Sequence, residues 1–413
     1  MIPSGYKQTE IGVIPEDWEL KTIKEITIGK LTYGINAPAV PYAPPLPNYI
    51  RITDISDNGY FIKANRASVE SNNIHQYILE KGDILFARTG ASTGKTYLYR
   101  IEDGVLVYAG FLIKASINHE ISDSKYVFYA LHTQRYWDWV AITSMRSGQP
   151  GINGNEYSSF QIPYPQLTEQ QKIAEVLSDV DGLIASLEKL IEKKKALKQG
   201  VMQELLTGKR RLPGFSGEWI ETSFESIYSF AKEGGTPSTS NELYYKNGNI
   251  PFVKIEDLSA KYISTCTTFI TNEGVDNSSA WIVPTNSVIL SNGATIGEVS
   301  INRIPVATKQ GILGIIPSTG VDFEFLYYLF SMASFRDDVK RITTHGTMDC
   351  AYLKDLNTIR LFIPSDKNEQ IAISSILSEI DNELERKKRV LEKYRQLKSG
   401  MMSKLLTGRI RLM

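Results

Sequence analysis

"EQQKIAEVLSDVDGLIASLEKLIEKKKALKQGVMQELLTGKRRL" (Glu169–Leu212) returns 200 residues later as "EQIAISSILSEIDNELERKKRVLEKYRQLKSGMMSKLLTGRIRL" (Glu369–Leu412). The two align without a gap. Eighteen of the 44 positions are identical, among them Leu177/Leu377, Asp181/Asp381, Gly200/Gly400 and Leu205/Leu405, so the chain contains an internal duplication. In the first copy the apolar residues Ile173, Leu177, Val180, Ile184, Leu187, Ile191, Leu197, Val201 and Leu205 recur mostly in steps of four and three, with Lys194 interrupting. The second copy offers Ile373, Leu377, Ile380, Leu384, Leu391, Tyr394, Leu397, Met401 and Leu405, with Lys387 interrupting. This spacing is that of a coiled-coil seam. Either stripe alone would leave a long apolar face in water, so the economical expectation is that the two bury each other.

Weaker matches precede each copy. Trp18 aligns with Trp219, "YIRITDI" (49–55) with "FVKIEDL" (252–258), "DILFARTGASTG" (83–94) with "NSVILSNGATIG" (286–297), and "FQIPYP" (160–165) with "LFIPSD" (361–366). The order is therefore domain, helix, domain, helix, with expected boundaries at 1–165, 166–212, 213–365 and 366–413. The runs Tyr126–Leu131 and Phe325–Phe330 read as one buried helix per domain. The remainder reads as short strands broken by Gly, Asn and Pro, which makes the fold class α+β, mixed strands and helices. Chain order makes the two long helices antiparallel about a pseudo-dyad and returns the C-terminus to the first domain. At about 1.5 Å per residue a helix of about 39 residues spans nearly 60 Å. Such a rod matches at most about 17 base pairs of duplex at 3.4 Å per pair. Gly200 and Gly400 each cost about 1 kcal/mol of helix propensity, which a close helix approach or a local bend would explain.

"ARTGASTGKT" (87–96) looks at first like a phosphate-binding loop, but only three residues separate Gly90 from Gly94, one short of the Walker spacing. The second copy keeps both glycines, as Gly293 and Gly297, and puts Glu298 where Lys95 stands. A phosphate cradle would not tolerate that exchange. Two readings stay open: a tight turn after a strand, or a turn that presents side chains to a partner.

Composition narrows the function. No run of about 18 apolar residues exists, so no transmembrane helix is expected, and the first residues lack the apolar core of a signal peptide. Cys266 and Cys350 give no disulfide framework and read as free thiols of a reducing cytoplasm. The formal net charge is zero, but it is unevenly spread: −1 for residues 1–165, +2 for 166–212, −5 for 213–365 and +4 for 366–413. The basic runs on the helices are solvated faces or a track for a DNA duplex. The four histidines, His75, His119, His132 and His345, are scattered without metal-ligand spacing, and no nucleophile elbow is present. No metal, no cofactor and no catalytic residue is expected in this chain. Two equivalent domains on a spacer suit a repetitive polymer, and DNA is the obvious one.

Together these residues resemble the specificity (S) subunit of a type I restriction–modification system. The resemblance covers the whole chain. "YKQTEIGVIPEDWEL" (6–20) is similar to the family's opening, and the segment 1–22 would be its conserved N-terminal region. "EGGTPSTSNELYYKNGNIPFVKIEDL" (233–258) resembles the start of a target-recognition domain. "HGTM" (345–348) with "LNTIRLFIPSDKNEQIAISSIL" (356–377) resembles its end, and "EQQKIAEVL" and "LLTGKRRL" its central helix. The first domain departs further, with "NAPAVPYAPPLPNYIRITDI" (36–55) in place of the Gly-Thr-Pro form.

The resemblance implies two target-recognition domains that each read one half of a split, asymmetric DNA site, on helices that set the spacing and dock two modification subunits. Those subunits would bind S-adenosylmethionine and methylate adenine N6. With two restriction subunits the complex would cleave DNA using ATP and Mg. This chain would supply sequence choice without activity of its own, in the cytoplasm. Candidate DNA contacts are the polar residues of the matching loops: Arg88, Thr89, Ser92, Thr93 and Lys95, then Arg146, Gln149 and Asn153, in the first domain, and Ser291, Asn292, Thr295, His345 and Thr347 in the second. Arg pairs with guanine and Asn with adenine, and Ser/Thr reach bases or phosphate. Arg51 and Lys254, near strand ends, are candidate phosphate contacts. The candidate subunit-docking and coiled-coil residues are Ile173, Leu177, Val180, Ile184, Leu187 and Leu197 of the first helix and Ile373, Leu377, Ile380, Leu384, Leu391 and Leu397 of the second. The rival readings are a recognition subunit of a type IIB-like restriction–methylation system, a protein scaffold that does not touch DNA, and an ATP-using enzyme at Gly90–Thr96.

Overall fold

The computed structural model describes residues 2–145, 150–293, 295–343 and 350–412. The candidates Arg146, Gln149, His345 and Thr347 lie outside the described residues. The chain divides into two units, Met1–Glu188 with Val390–Met413, and Lys189–Arg389. Each unit therefore contains one domain, part of its own long helix and part of the other.

In the first unit the strand Asp83–Ala87 ("DILFA") is buried along its whole length, as a continuous apolar run covered on both faces should be. It sits inside an antiparallel sheet in the order Thr32–Tyr33, Leu112–Ser116, Asp83–Ala87, Thr96–Leu98. A second sheet runs Leu106–Tyr108, Asn48–Ile50, Ala67–Val69, Ala39–Pro41, its first pairing parallel. The aromatic run after Asp123 forms the helix Ser124–Ala130, with the Asp123 carboxylate accepting from the Lys125 and Tyr126 amides as N-cap. Tyr126, Phe86, Ile113, Tyr136 and Tyr157 build a core shared with Trp18 and with Ile173, Leu177 and Leu405 of the long helices.

The second unit repeats the plan. Its larger sheet is ordered Tyr228–Glu233, Ile312–Pro317, Val288–Ser291, Val299–Asn302, Tyr262–Ile263, and its smaller one Phe269–Ile270, Ile250–Val253, Val306–Thr308, Ile282–Val283. The helix Phe323–Phe330 is capped by Asp322. Gly34 and Gly234 mark the same place in the two copies. A Cβ at Gly34 would meet the Ala109 carbonyl oxygen at 2.2 Å, and one at Gly234 the Thr308 carbonyl oxygen at 1.9 Å, so backbone approach demands glycine there.

The long helices span Leu167–Leu205 and Lys367–Leu405. They pack antiparallel within each unit. In the first unit Asp181 pairs with Lys398 at 2.7 Å and Glu188 with Arg395 at 2.6 Å. In the second Lys198 pairs with Asp381 at 2.6 Å and Lys194 with Glu383. Ile173, Leu177, Val180 and Leu391 are buried in the first unit, where Ile184 and Leu187 are half-buried. Ile191, Ile373, Leu377 and Leu384 are buried in the second, where Ile380 is half-buried.

Two seam assignments are corrected. Leu197 is 53% exposed and Leu397 50% exposed. From Ile191 the inward positions continue through Lys194 and Lys198 to Val201 and Leu205, the 3-4-3-4 stepping that a seam requires. Lysine fills these positions because its stem lies against apolar surface while its ammonium reaches a carboxylate of the other helix. The glycine expectation also changes. Nothing lies within 4 Å of a Cβ placed at Gly200 or Gly400, so close helix approach within the chain does not explain them.

Where helix meets domain, each unit carries the same polar knot. Trp18 Nε1 donates to Glu169 at 3.1 Å, and Arg411 forks onto the same carboxylate at 2.7 and 2.8 Å. In the second unit Trp219 Nε1 donates to Glu369 at 3.3 Å, and Arg211 forks onto it at 2.6 and 2.7 Å. The Tyr129 hydroxyl donates to Asp181 at 2.8 Å, and that of Tyr328 to Asp381 at 2.7 Å. The identity of Glu169/Glu369, Asp181/Asp381 and Arg211/Arg411 in the repeat thus has a reason: these are the side chains that fix domain to helix.

Candidate nucleic-acid interface

The stretch Arg88–Lys95 is the loop of a β-hairpin, because Asp83–Ala87 pairs with Thr96–Leu98. Five of its backbone donors are spent within the chain. The amides of Arg88, Gly90, Thr93, Gly94 and Lys95 donate to the carbonyls of Phe111, Pro150, Gly90, Ala87 and Ser92. A phosphate cradle needs those donors free and a helix behind them, and a strand follows instead. Lys95 pairs with Asp57 at 2.7 Å. Gly90 and Gly94 adopt φ of 71° and 90°. A Cβ at Gly94 would also meet Val140 at 2.6 Å, so the second glycine serves the packing of the helix Gln134–Ser144.

The loop is held against the segment before the helix Gly154–Ser159. Thr89 bridges Gly151, the Ile152 amide donates to the Arg88 carbonyl at 2.9 Å, and the Thr93 hydroxyl donates to the Gly90 carbonyl at 2.7 Å. Arg88, Thr89, Thr93 and Asn153 are thereby brought to one end of the sheet that holds Asp83–Ala87. Ser92 is half-buried on the same turn. Asn153 is exposed, but its Oδ1 is engaged as N-cap for the amides of Asn155 and Glu156. Two aromatics that sequence reasoning passed over stand beside them. Tyr33 carries the Arg88 guanidinium 4.9 Å above its ring and accepts from the Gly154 amide at 3.0 Å. Phe111, whose carbonyl holds the Arg88 amide, is exposed.

In the second unit the same frame carries other side chains. Ser291 pairs with Ile312 as Ala87 pairs with Leu112, and the Ala351 amide donates to the Asn292 carbonyl as Ile152 does to Arg88. Arg88 therefore corresponds to Asn292, and the second loop is one residue shorter than the gapless sequence match implied. Glu233, paired with Leu313, stands where Tyr33 pairs with Ile113, and its Oε1 accepts from the Gly311 amide at 2.7 Å.

Three candidates are corrected. Ser291 and Asn292 are 0% and 1% exposed. Ser291 donates to the Thr295 carbonyl and accepts from the Glu298 amide, while Asn292 Nδ2 donates to the Ala351 carbonyl. A side chain closed into the loop shapes it and does not reach a base. Arg51 forks onto Asp54 at 2.8 and 2.9 Å and reaches the Asn65 carbonyl, so it braces the domain. Thr295 is exposed, and Lys254 is half-buried at the end of the strand Ile250–Val253, in the smaller sheet.

Duplicated mixed α+β domains on antiparallel helices match what comparison with known proteins finds. The family described as the type I restriction modification DNA specificity domain matches residues 15–199 and again 217–393. The chain belongs to this family. A Methanocaldococcus jannaschii protein assigned to the MjaX type I restriction enzyme as its specificity subunit is 28% identical over 431 aligned positions, covering 99% of this chain and 97% of its own. The MjaVIII specificity subunit of the same organism is 25% identical, covering 97% and 94%. The solved S subunit of a type I restriction–modification system from M. genitalium shares the fold with a TM-score of 0.59 at 17% identity, covering 94% of this chain and 96% of that one. This chain is thus a type I restriction–modification specificity subunit with two target-recognition domains, and catalysis in such systems lies in partner subunits. No helix among the described residues is long and apolar enough to cross a membrane.

Proposed function

We propose that this specificity subunit works in the cytoplasm and reads a split, asymmetric DNA site, one half with each domain. Two modification subunits on its helices would methylate adenine N6 with S-adenosylmethionine, and two restriction subunits would add ATP- and Mg-dependent cleavage. The observation that carries the split-site reading is the pair of equivalent sheet ends bearing different side chains, Tyr33 and Arg88 in one unit, Glu233 and Asn292 in the other. One frame with two chemistries suits two unlike half-sites. Two copies of one docking partner are supported by the exposed identities of the repeat. Lys193/Lys393, Leu197/Leu397 and Gly200/Gly400 are the same in both helices and exposed in both. The packing of this chain gives none of them a role.

The test is co-expression with the modification subunit from the same operon, followed by mapping of N6-methyladenine by long-read sequencing. Methylation at one split motif is expected. Exchange of residues 213–365 for those of a relative should change one half of the motif and leave the other intact. A stable complex that methylates nothing would refute the proposal.

A further inference from the structure

The arginines of the first domain divide into spent and unspent. Arg51 is forked onto Asp54, Arg66 donates to the Lys63 carbonyl, Arg100 to the carbonyls of Gly59 and Leu98, and Arg135 to that of Gln161. Among the described residues the guanidinium of Arg88 meets no carboxylate and no carbonyl; it meets the face of Tyr33, 4.9 Å from the ring centroid. Both ends of this contact are tied down. The Arg88 backbone is held by the Phe111 carbonyl at 3.1 Å and the Ile152 amide at 2.9 Å. The Tyr33 ring is held through its hydroxyl by the Gly154 amide. The guanidinium is planar, and resting over a ring face consumes none of its N–H donors. Such a fixed, flat fork matches the N7 and O6 acceptors on the major-groove edge of guanine. The same fork can also take a phosphate bidentately; the two contacts differ in that only the guanine contact makes binding depend on one base pair.

We propose that Arg88 reads a guanine in the half-site of the first domain and that Tyr33 is its positioning residue. The inference rests on the split-site reading above. The second unit cannot make this contact at the equivalent place, because Glu233 and the buried Asn292 stand there. The other half-site is therefore an internal control.

The experiment uses the full chain with its modification subunit, comparing wild type with Arg88→Lys, Arg88→Ala and Tyr33→Leu. The readout is the methylated motif together with the salt dependence of duplex binding by the complex. Arg88→Lys keeps the charge and removes the fork. It is expected to relax one G·C position of one half-site by roughly tenfold or more, with the other half-site unchanged. Tyr33→Leu should relax the same position less. Thermal melting of each variant complex separates loss of folding from loss of reading, and Arg88→Lys, the milder change, carries the decision. An unaltered motif in a folded Arg88→Lys or Arg88→Ala complex overturns the proposal. So does a uniform loss of affinity with a salt slope lower by about one, which marks a phosphate contact. A wild-type complex that methylates no split motif overturns the underlying reading first, and this inference with it.

Discussion

Arg411→Ala tests the knot that holds the C-terminal segment on the first unit. Arg411 makes four charge-assisted bonds, two to Glu169 at 2.7 and 2.8 Å and two to Asp17 at 2.8 and 2.7 Å. The two halves differ in worth. The Asp17 side chain is 54% exposed, so that pair should contribute under about 1 kcal/mol. Its carboxyl is nevertheless held below the usual range by the Arg411 hydrogen bonds. Glu169 is 6% exposed, beneath Trp18. Removing Arg411 leaves a buried carboxylate with no cation and only the Trp18 Nε1 and Leu412 amide donors; breaking a buried pair in this way costs about 3–5 kcal/mol. Arg411 is itself 22% exposed, so water can enter, and about 3 kcal/mol is expected. Asp17→Asn should cost under about 1 kcal/mol. The assay is equilibrium urea unfolding of the full chain, followed by circular dichroism and by tryptophan fluorescence. Arg411→Ala costing no more than Asp17→Asn would refute the argument, because burial of Glu169 would then carry no weight.

Further outcomes follow from other residues. Gly200→Ala and Gly400→Ala should each stabilise the free chain by about 1 kcal/mol, since a Cβ there meets nothing; if a docking partner needs the bare backbone, pull-down of the modification subunit should weaken while urea resistance rises. Burial pulls the pKa of His132 down to about 4, assisted by Lys398 and Arg100 and opposed by Asp181 and by the bond to the Phe128 carbonyl. The folded pKa lies below the unfolded one, so its stability contribution is complete above about pH 6.5 and is lost as pH falls toward 4, by up to about 3 kcal/mol; unfolding curves of His132→Gln that stay as acid-sensitive as wild type would contradict this. The isolated chain, with net charge zero, should bind random duplex weakly at physiological salt, and tight binding in a mobility-shift assay would count against that reading. Lys95→Ala should leave the urea midpoint nearly unchanged, because its partner Asp57 is 90% exposed, and calorimetry should show no nucleotide binding for wild type or variant.

The sequence by itself carried what is periodic or repeated. The duplication, the two long helices, the apolar seam up to Ile191 and the one buried helix in each domain could all be read from residue spacing, because apolar burial leaves a regular trace. It was also enough to doubt the phosphate loop, through Glu298. Tertiary structure decided which polar side chains are spent and which are free. Leu197 and Lys198 are neighbours in sequence, and only packing against the second helix chose the lysine, with Asp381 across from it, for the inside. Arg51 and Arg88 look alike on paper, yet one is closed onto Asp54 and the other lies open on Tyr33. Asn292 looked like a reader and is buried. The physical reason is common to all three: a hydrogen bond or ion pair depends on partners that are distant in the chain and on their orientation in space, and neither leaves a period in the sequence.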